Sequence, residues 1–341
     1  MLKKVILNKW VCGIFFRGTA IVGTIAALFC STSSYAGTAS RVVFGTNWFA
    51  EAQQGGYYQA EAKGIYKKFG LDVSIDKNGP GINGQQLLVA GKYQFYMSSA
   101  LDNLVATAHG LPLVTVATIF QKSPTCIYAH TWAKTPEDLT RASQILVSSN
   151  EIHSWWPWAM TKFGYKSSQR GVYTGSVAPF VADKQRAQQG YAGSEGFMIA
   201  KEGIKFNMFI LADYGYPEYA ETIETTRAMI KEHPEVVKKF IEATMLGWRS
   251  YLNDPGPGDM LIMRANPRQS PAQLAYGVSS MIKDKMLVSS ATNKYGLGTM
   301  TNKRWKAIFN VAVKNGLVPA GMDYQKSYTL KFIRLVHVGV N

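Results

Sequence analysis

Residues 41–56 read RVVFGTNWFAEAQQGG and continue as YYQAEAKGIYKKFG to Gly70. The run VVFGTNW (42–48) has the β-branched and aromatic content of a strand. Tyr57, Tyr58, Ala62, Ile65 and Phe69 then repeat at helical spacing until Gly70 ends the helix. Asn47-Trp48 therefore falls at a strand-to-helix turn, and Gly55-Gly56 opens the helix behind it. A tryptophan held out at the carboxyl edge of a sheet suits a pocket wall better than a core, since that edge is where ligands meet open α/β sheets.

The same grammar extends outward. LDVSI (71–75), FYMSS (95–99), LVTVATIF (113–120) and TCIYAH (125–130) are strand-like, and GQQLLVAG (84–91) and LDNLVATAHG (101–110) are helical. A second set follows: ILVSS (145–149) as a strand, WWPWAMTKFG as a helix from Pro157, GVYTG, a helix around VADKQRAQQG (181–190), and strand-like FNMFILADYG and YAETIETT. This β-α-β-α order predicts a largely parallel sheet with helices on both faces. Segments 234–251, 271–286 and 302–316 are helical by period, with Pro near the start or Gly at the end. The predicted class is α/β, in two lobes: 37–130 with 220–341 as the first, and 131–219 as the second. Crossings are expected near 128–132 and 214–226. Two α/β lobes joined by two extended crossings form a hinged cleft, the usual place for a small ligand.

Length and composition agree with this. The 341 residues suggest about two domains. With 47% hydrophobic and 17% charged residues, the chain is of globular type without a long low-complexity tract. Residues 1–36 stand apart: Lys3, Lys4, Lys9 and Arg17 precede the apolar AIVGTIAALFC, and Ser34-Tyr35-Ala36 supplies small residues before Gly37. This is the layout of a secretory signal peptide cleaved before Gly37. Its apolar run falls short of the roughly 18 residues a membrane span requires. A lipid anchor at Cys30 is disfavoured by the bulk of Phe29. Cys12 and Cys30 fall in the leader, so Cys126 alone remains, too few for a disulfide or a thiolate metal cluster. The formal charge is +15; the leader holds four positive residues and no acid, leaving +11. The lysines are scattered, with no basic-aromatic platform for nucleic acid.

Gly79-Pro80-Gly81-Ile82-Asn83-Gly84 matches the spacing of a dinucleotide fingerprint, but follows the second strand rather than the first. It is read as a glycine-rich turn that opens a helix, with N–H groups available to face the cleft. The five histidines show no metal-ligand spacing, and no G-x-S-x-G is present. Ser98 and Ser99 end a strand just before a helix, where they serve either a ligand or the helix N-cap. Asp102 in the next turn favours the helix dipole without any ligand. Trp155, Trp156 and Trp158 can stack a planar ligand or fill a core. Glu195, set among small residues in GYAGSEGFM, is either a solvated surface acid or a carboxylate for an amidine-like edge.

NWFAEAQQGGYYQAEAKGIYKKFGLDV, GPGINGQQLLVAGKYQF, ILVSS and LADYGYP resemble the periplasmic binding proteins of ABC transporters in the nitrate, sulfonate and taurine class. The likeness runs over residues 41–333 and is nearest the branch related to thiamine pyrimidine synthase. The resemblance implies the type II periplasmic binding protein fold, in which two α/β lobes close on a ligand at the hinge. It implies a monomeric, periplasmic solute binder with no cofactor and no metal, delivering a planar nitrogen heterocycle such as a thiamine pyrimidine precursor to an inner-membrane permease and its ATPase. It places ligand contacts on Asn47, Trp48, Ser98, Ser99 and Glu195, with Trp155 near the cleft. Rival readings are a sulfonate or nitrate binder, a riboflavin-like ring binder, and a pyrimidine synthase. The synthase reading is disfavoured because its lysine and histidine positions fall on Ser98 and Asp102.

Overall fold

The computed structural model describes residues 39–79 and 81–340, so the leader, its cleavage point and Cys30 lie outside the described residues. Ten strands form two five-stranded sheets. The first contains β1 (Ser40–Gly45), β2 (Leu71–Asp76), β3 (Phe95–Ser99), β4 (Leu113–Phe120) and β10 (Ala220–Thr226), in the order β2-β1-β3-β10-β4. The second contains β5 (Thr125–His130), β6 (Gln144–Val147), β7 (Arg170–Val172), β8 (Arg186–Tyr191) and β9 (Phe206–Ile210), in the order β7-β6-β8-β5-β9. In each sheet one strand runs against the other four: β10 is antiparallel to β3 and β4, and β5 to β8 and β9. Each reversed strand is the first one laid down after the chain changes sheet.

That topology moves one expected boundary. Thr125–His130 pairs with β8 and β9, so it belongs to the second sheet. The chain crosses at 121–124, ahead of the expected 128–132. An all-buried run such as TCIYAH carries no mark of which sheet it joins; only its partners decide. The return crossing lies between Ile210 and Ala220.

Helices α1 (Gly55–Ala62) and α2 (Ile65–Lys68) replace the single helix expected over 57–69. Gly64 adopts φ 62°, a left-handed conformation that breaks the helix and that glycine enters without Cβ strain. Helices α3 (Gly84–Val89) and α4 (Ala100–Ala108) follow in the first sheet's half, and α5 (Trp155–Phe163), α6 (Ala178–Ala182) and α7 (Glu195–Lys201) in the second's. The expected helix at 181–190 is instead α6, a turn and strand β8. Polar RAQQGY reads poorly as a strand, but between β6 and β5 four of its six residues are buried. The C-terminal part is helical: α8 (Arg227–Glu232), α9 (Pro234–Asn253), α10 (Gly256–Ala265), α11 (Pro271–Lys283), α12 (Ser290–Tyr295) and α13 (Asn302–Lys314).

The core beneath the opening stretch is aromatic. Tyr57 stacks on Phe44 at 4.3 Å, Phe95 stacks on Phe240 at 4.1 Å, and Trp248 meets Tyr57 edge-on. Helix α9 can approach α1 only because Gly55 and Gly56 lack side chains: a Cβ on either would overlap the Tyr251 or Trp248 ring. No helix among the described residues is long and apolar enough to cross a membrane.

Candidate functional site

A cavity of about 350 Å³ opens between the carboxyl ends of the parallel strands of both sheets. From the first sheet come Asn47, Trp48, Glu51, Gln53 and Gln54 after β1, the turn Gly81–Gln85 after β2, and Tyr96, Ser98 and Asp102 around the β3–α4 junction. From the second come Ser148, Glu151 and His153 after β6, Tyr173 after β7, and Gln189, Tyr191, Ser194 and Glu195 at the β8–α7 junction. Three strand ends of each sheet thus contribute, those of β1, β2 and β3 and those of β6, β7 and β8.

Of the residues named from sequence, Asn47, Trp48, Ser98 and Glu195 line this cavity together. Trp48 is half-buried, with Phe49 edge-on at 5.5 Å. Ser99 instead caps α4: its Oγ accepts from Asp102 N at 3.1 Å. Trp155 is fully buried in the core of the second sheet, edge-on to Trp156 at 5.7 Å, and is not among the cavity's lining residues. Trp156 and Trp158 share that core; three large rings at near-helical spacing follow the apolar face of α5. Glu195 is 5% exposed, so it is no solvated surface acid. Its Oε1 accepts from Tyr173 OH at 2.7 Å and its Oε2 from Tyr191 N at 2.7 Å. Gly190 leaves room for it, since a Cβ there would lie 2.6 Å from Glu195 Oε2.

Sequence reasoning missed Glu51, Glu151, Gln53, Gln189 and Tyr173. One signal was present: acids are scarce, 22 against 37 basic residues, yet Glu51, Glu151 and Glu195 each lie in the turn after a strand, four to six residues past its end. Glu51 reaches across the cleft, where Ser194 Oγ donates to its Oε2 at 2.8 Å. Nearby, Phe197 of α7 meets Tyr276 of α11 at 5.8 Å. These contacts join the two sides of the cleft. Gln189 braces the β6 end, its Oε1 accepting from Ser148 N at 2.7 Å. Ser154 Oγ donates to the Glu151 carboxyl.

The electrostatics are one-sided. Among the described residues, four carboxyls line the cavity and no lysine or arginine does. Burial, then the facing Glu195, pushes Glu51 up to about 8, while hydrogen bonds from Ser194 and Trp48 pull the other way. Burial, followed by Glu218 and Asp102, pushes Glu151 up to about 8. Burial raises Asp102 to about 6 against the Ser99 hydrogen bond. Glu195 is raised by burial, opposed by the bonds from Tyr173 and Tyr191. Behind this layer, Glu224 accepts from Gln85 Nε2 at 3.0 Å and is pushed up to about 8 by burial. A chain of strongly positive net charge therefore encloses an acidic, acceptor-rich cavity with flat rings at one end.

The comparisons agree with this architecture. The NMT1/THI5 like family model matches residues 51–257, more than half of the chain and most of the cavity wall. The chain belongs to the NMT1/THI5-like family. Riboflavin-binding protein RibY of Chloroflexus aurantiacus is 25% identical over 318 residues, 87% of either chain. Among solved structures, the alkanesulfonate-binding protein SsuA of Xanthomonas axonopodis pv. citri, bound to MOPS, superposes with TM-score 0.66 at 12% identity, covering 85% of this chain and 98% of that one. The periplasmic nitrate-binding protein NrtA of Synechocystis PCC 6803 gives TM-score 0.59 at 11% identity, covering 87% and 88%. At such identities the structural matches speak to fold: this member of the NMT1/THI5-like family has the two-sheet periplasmic binding protein fold.

Proposed function

We propose that this chain is the periplasmic solute-binding component of an ABC importer. It captures a small planar nitrogen heterocycle, such as a thiamine pyrimidine precursor, and delivers it to an inner-membrane permease with its ATPase. The observation that carries the reading is the pairing of flat rings, Trp48 and Tyr173, with four carboxyls and, among the described residues, no lysine or arginine in one cleft. A ring stacked on Trp48 presents its amino and ring N–H groups to Glu195 and Glu51, with Asn47 and Ser98 at its edge. Closure removes water and strengthens those bonds.

An anion binder requires the opposite lining. Sulfonate and nitrate need Arg, Lys or convergent N–H groups, and among the described residues no lysine or arginine lines this cavity. A pyrimidine synthase using pyridoxal phosphate needs an amine for a Schiff base, and no lysine lines this cavity. A riboflavin-like ring is the second reading, supported by the likeness to RibY over most of both chains; such a ring also needs an aromatic face and acceptors for its N–H and hydroxyls.

The test is a mass spectrum of the small molecule released from protein purified without denaturation, paired with ligand-dependent melting. An aminopyrimidine that raises the melting temperature, with taurine and nitrate inert, supports the reading. Stabilisation by taurine or nitrate instead would end it, as would a Schiff-base absorbance on adding pyridoxal phosphate.

A further inference from the structure

The run that returns the chain to the first sheet carries three buried glutamates, three residues apart: Glu218, Glu221 and Glu224. None is among the cavity's lining residues. Each receives a donor from a different strand-end turn of the first sheet. Glu218 Oε1 accepts from Leu101 N at 3.4 Å, behind β3. Glu221 Oε1 accepts from Gln54 Nε2 at 3.3 Å, behind β1, and Glu224 takes Gln85, behind β2. Of the three, Glu221 has the least local justification. It is the extra residue of a β-bulge: Ala220 pairs with Ser99 and Thr222 with Ser98, so Glu221 has no place in the register with β3. Its φ is 49°, a left-handed conformation that a residue with a Cβ rarely adopts. Its Oε2 is buried without a hydrogen-bond partner. Burial raises the carboxyl well above the usual carboxylate range, against the Gln54 hydrogen bond. Backbone strain, an orphan oxygen and a buried acid are local costs without local return, and such costs persist where the position serves a site.

The gain appears two bonds away. Gln54 turns its Nε2 to Glu221, and its Oε1 accepts from Glu51 N at 2.9 Å. Glu51 Oε2 in turn takes the Ser194 hydroxyl from the other side of the cleft at 2.8 Å. A glutamine amide has a donor end and an acceptor end. An acceptor at Glu221 holds that amide with its oxygen toward the Glu51 N–H; reversed, it would set two N–H groups against each other. We infer that Glu221 is a positioning residue for the cleft: acting through the Gln54 amide, it sets Glu51 to meet Ser194 across the gap. The relay Glu221–Gln54–Glu51–Ser194 ties the return run of the first sheet to the start of α7 in the second sheet's half. It operates whichever guest the cavity takes, so it does not depend on the ring reading.

Hydrogen exchange of the purified, ligand-free protein tests this, read by mass spectrometry on the segment 50–55 with the β10 amides as the control. Glu221→Leu removes the acceptor, and exchange at the Glu51 amide should quicken by about tenfold or more. Glu221→Gln keeps a carbonyl oxygen of the same reach and should exchange as the unaltered chain does. A purely structural role for Glu221 would instead loosen β10 and leave 50–55 protected. Melting supplies the cross-cleft readout. Ser194→Ala should lower the melting temperature by about 2 °C or more in the unaltered chain and by roughly half that or less beside Glu221→Leu, because the bond it deletes is already slack. Should Glu221→Leu fail to fold, Glu221→Gly takes its place, since glycine enters a positive φ without Cβ strain. Selective loss of protection at 50–55, restored by glutamine, supports the inference. Unchanged exchange there, a glutamine variant as damaged as the leucine one, or a Ser194→Ala effect of equal size in both backgrounds overturns it.

Discussion

At the scale of single residues, two tryptophans of like chemistry have opposite fates. Trp48 stands half-buried at a strand end and faces the cavity; Trp155 is sealed in a core. Trp48→Ala is expected to weaken ligand binding by about 1–3 kcal/mol, from lost stacking and apolar contact, with little change in melting temperature. Trp155→Ala should do the reverse: about 3–5 kcal/mol of stability lost to an unfilled cavity, read by urea denaturation. Equal effects of the two on affinity would contradict this assignment. Glu195→Gln replaces a carboxyl oxygen that the ligand's N–H groups meet with an amide donor, so calorimetry should show a loss of about 1–3 kcal/mol. Trp48 could be picked from sequence because a large ring in a turn interrupts its surroundings, whereas Glu195 by spacing alone fitted a surface acid and only the family resemblance pointed it at a ligand. Trp155 could not be placed, since a tryptophan cluster at helical spacing fits a core and a stacking platform equally.

At the scale of elements, the glycine pair that opens α1 is explained by α9. The backbone of α1 lies against Trp248 and Tyr251, and no side chain fits between. Gly56→Ala should therefore destabilise by about 1–3 kcal/mol or more through overpacking, although alanine is the better helix former. A gain in denaturation midpoint would refute the packing argument. Strand β8 teaches the complementary lesson. Its glutamines look helical or loop-like in isolation, yet Gln189 spends its amide on Ser148 beside the cavity. Local patterning fails there because the position serves the site rather than the core.

At the scale of the whole molecule, closure sets carboxyls from the two halves against one another. Glu51 and Glu151 are raised to about 8 and Asp102 to about 6. A carboxyl raised on folding holds its proton more tightly in the folded state, so its stabilising contribution is complete below its unfolded value, roughly 4 to 4.5. That contribution is lost as the pH rises through the folded values, for Asp102 near 6 and for the two glutamates near 8. Melting of the ligand-free protein should thus decline between pH 5 and pH 8.5 (roughly, the span of those titrations). A donor-rich ligand should restore more stability at the alkaline end. A ligand-free melting temperature that climbs across this range would be inconsistent with the buried acidic cleft. Small-angle scattering offers a second reading, with an expanded ligand-free form favoured at alkaline pH by repulsion across the gap.

The amino-acid order by itself determined the alternation of strands and helices, the helical C-terminal part, and the Asn47-Trp48 turn at a sheet edge. These depend on periodicity and on turn chemistry within a dozen neighbours. Tertiary structure alone decided that Thr125–His130 joins the second sheet, that Ser194 meets Glu51 across a sequence separation of 143, and that four scattered acids share one cavity. Such partnerships arise when two separately built sheet edges come face to face, and no local spacing encodes which distant residue will be opposite.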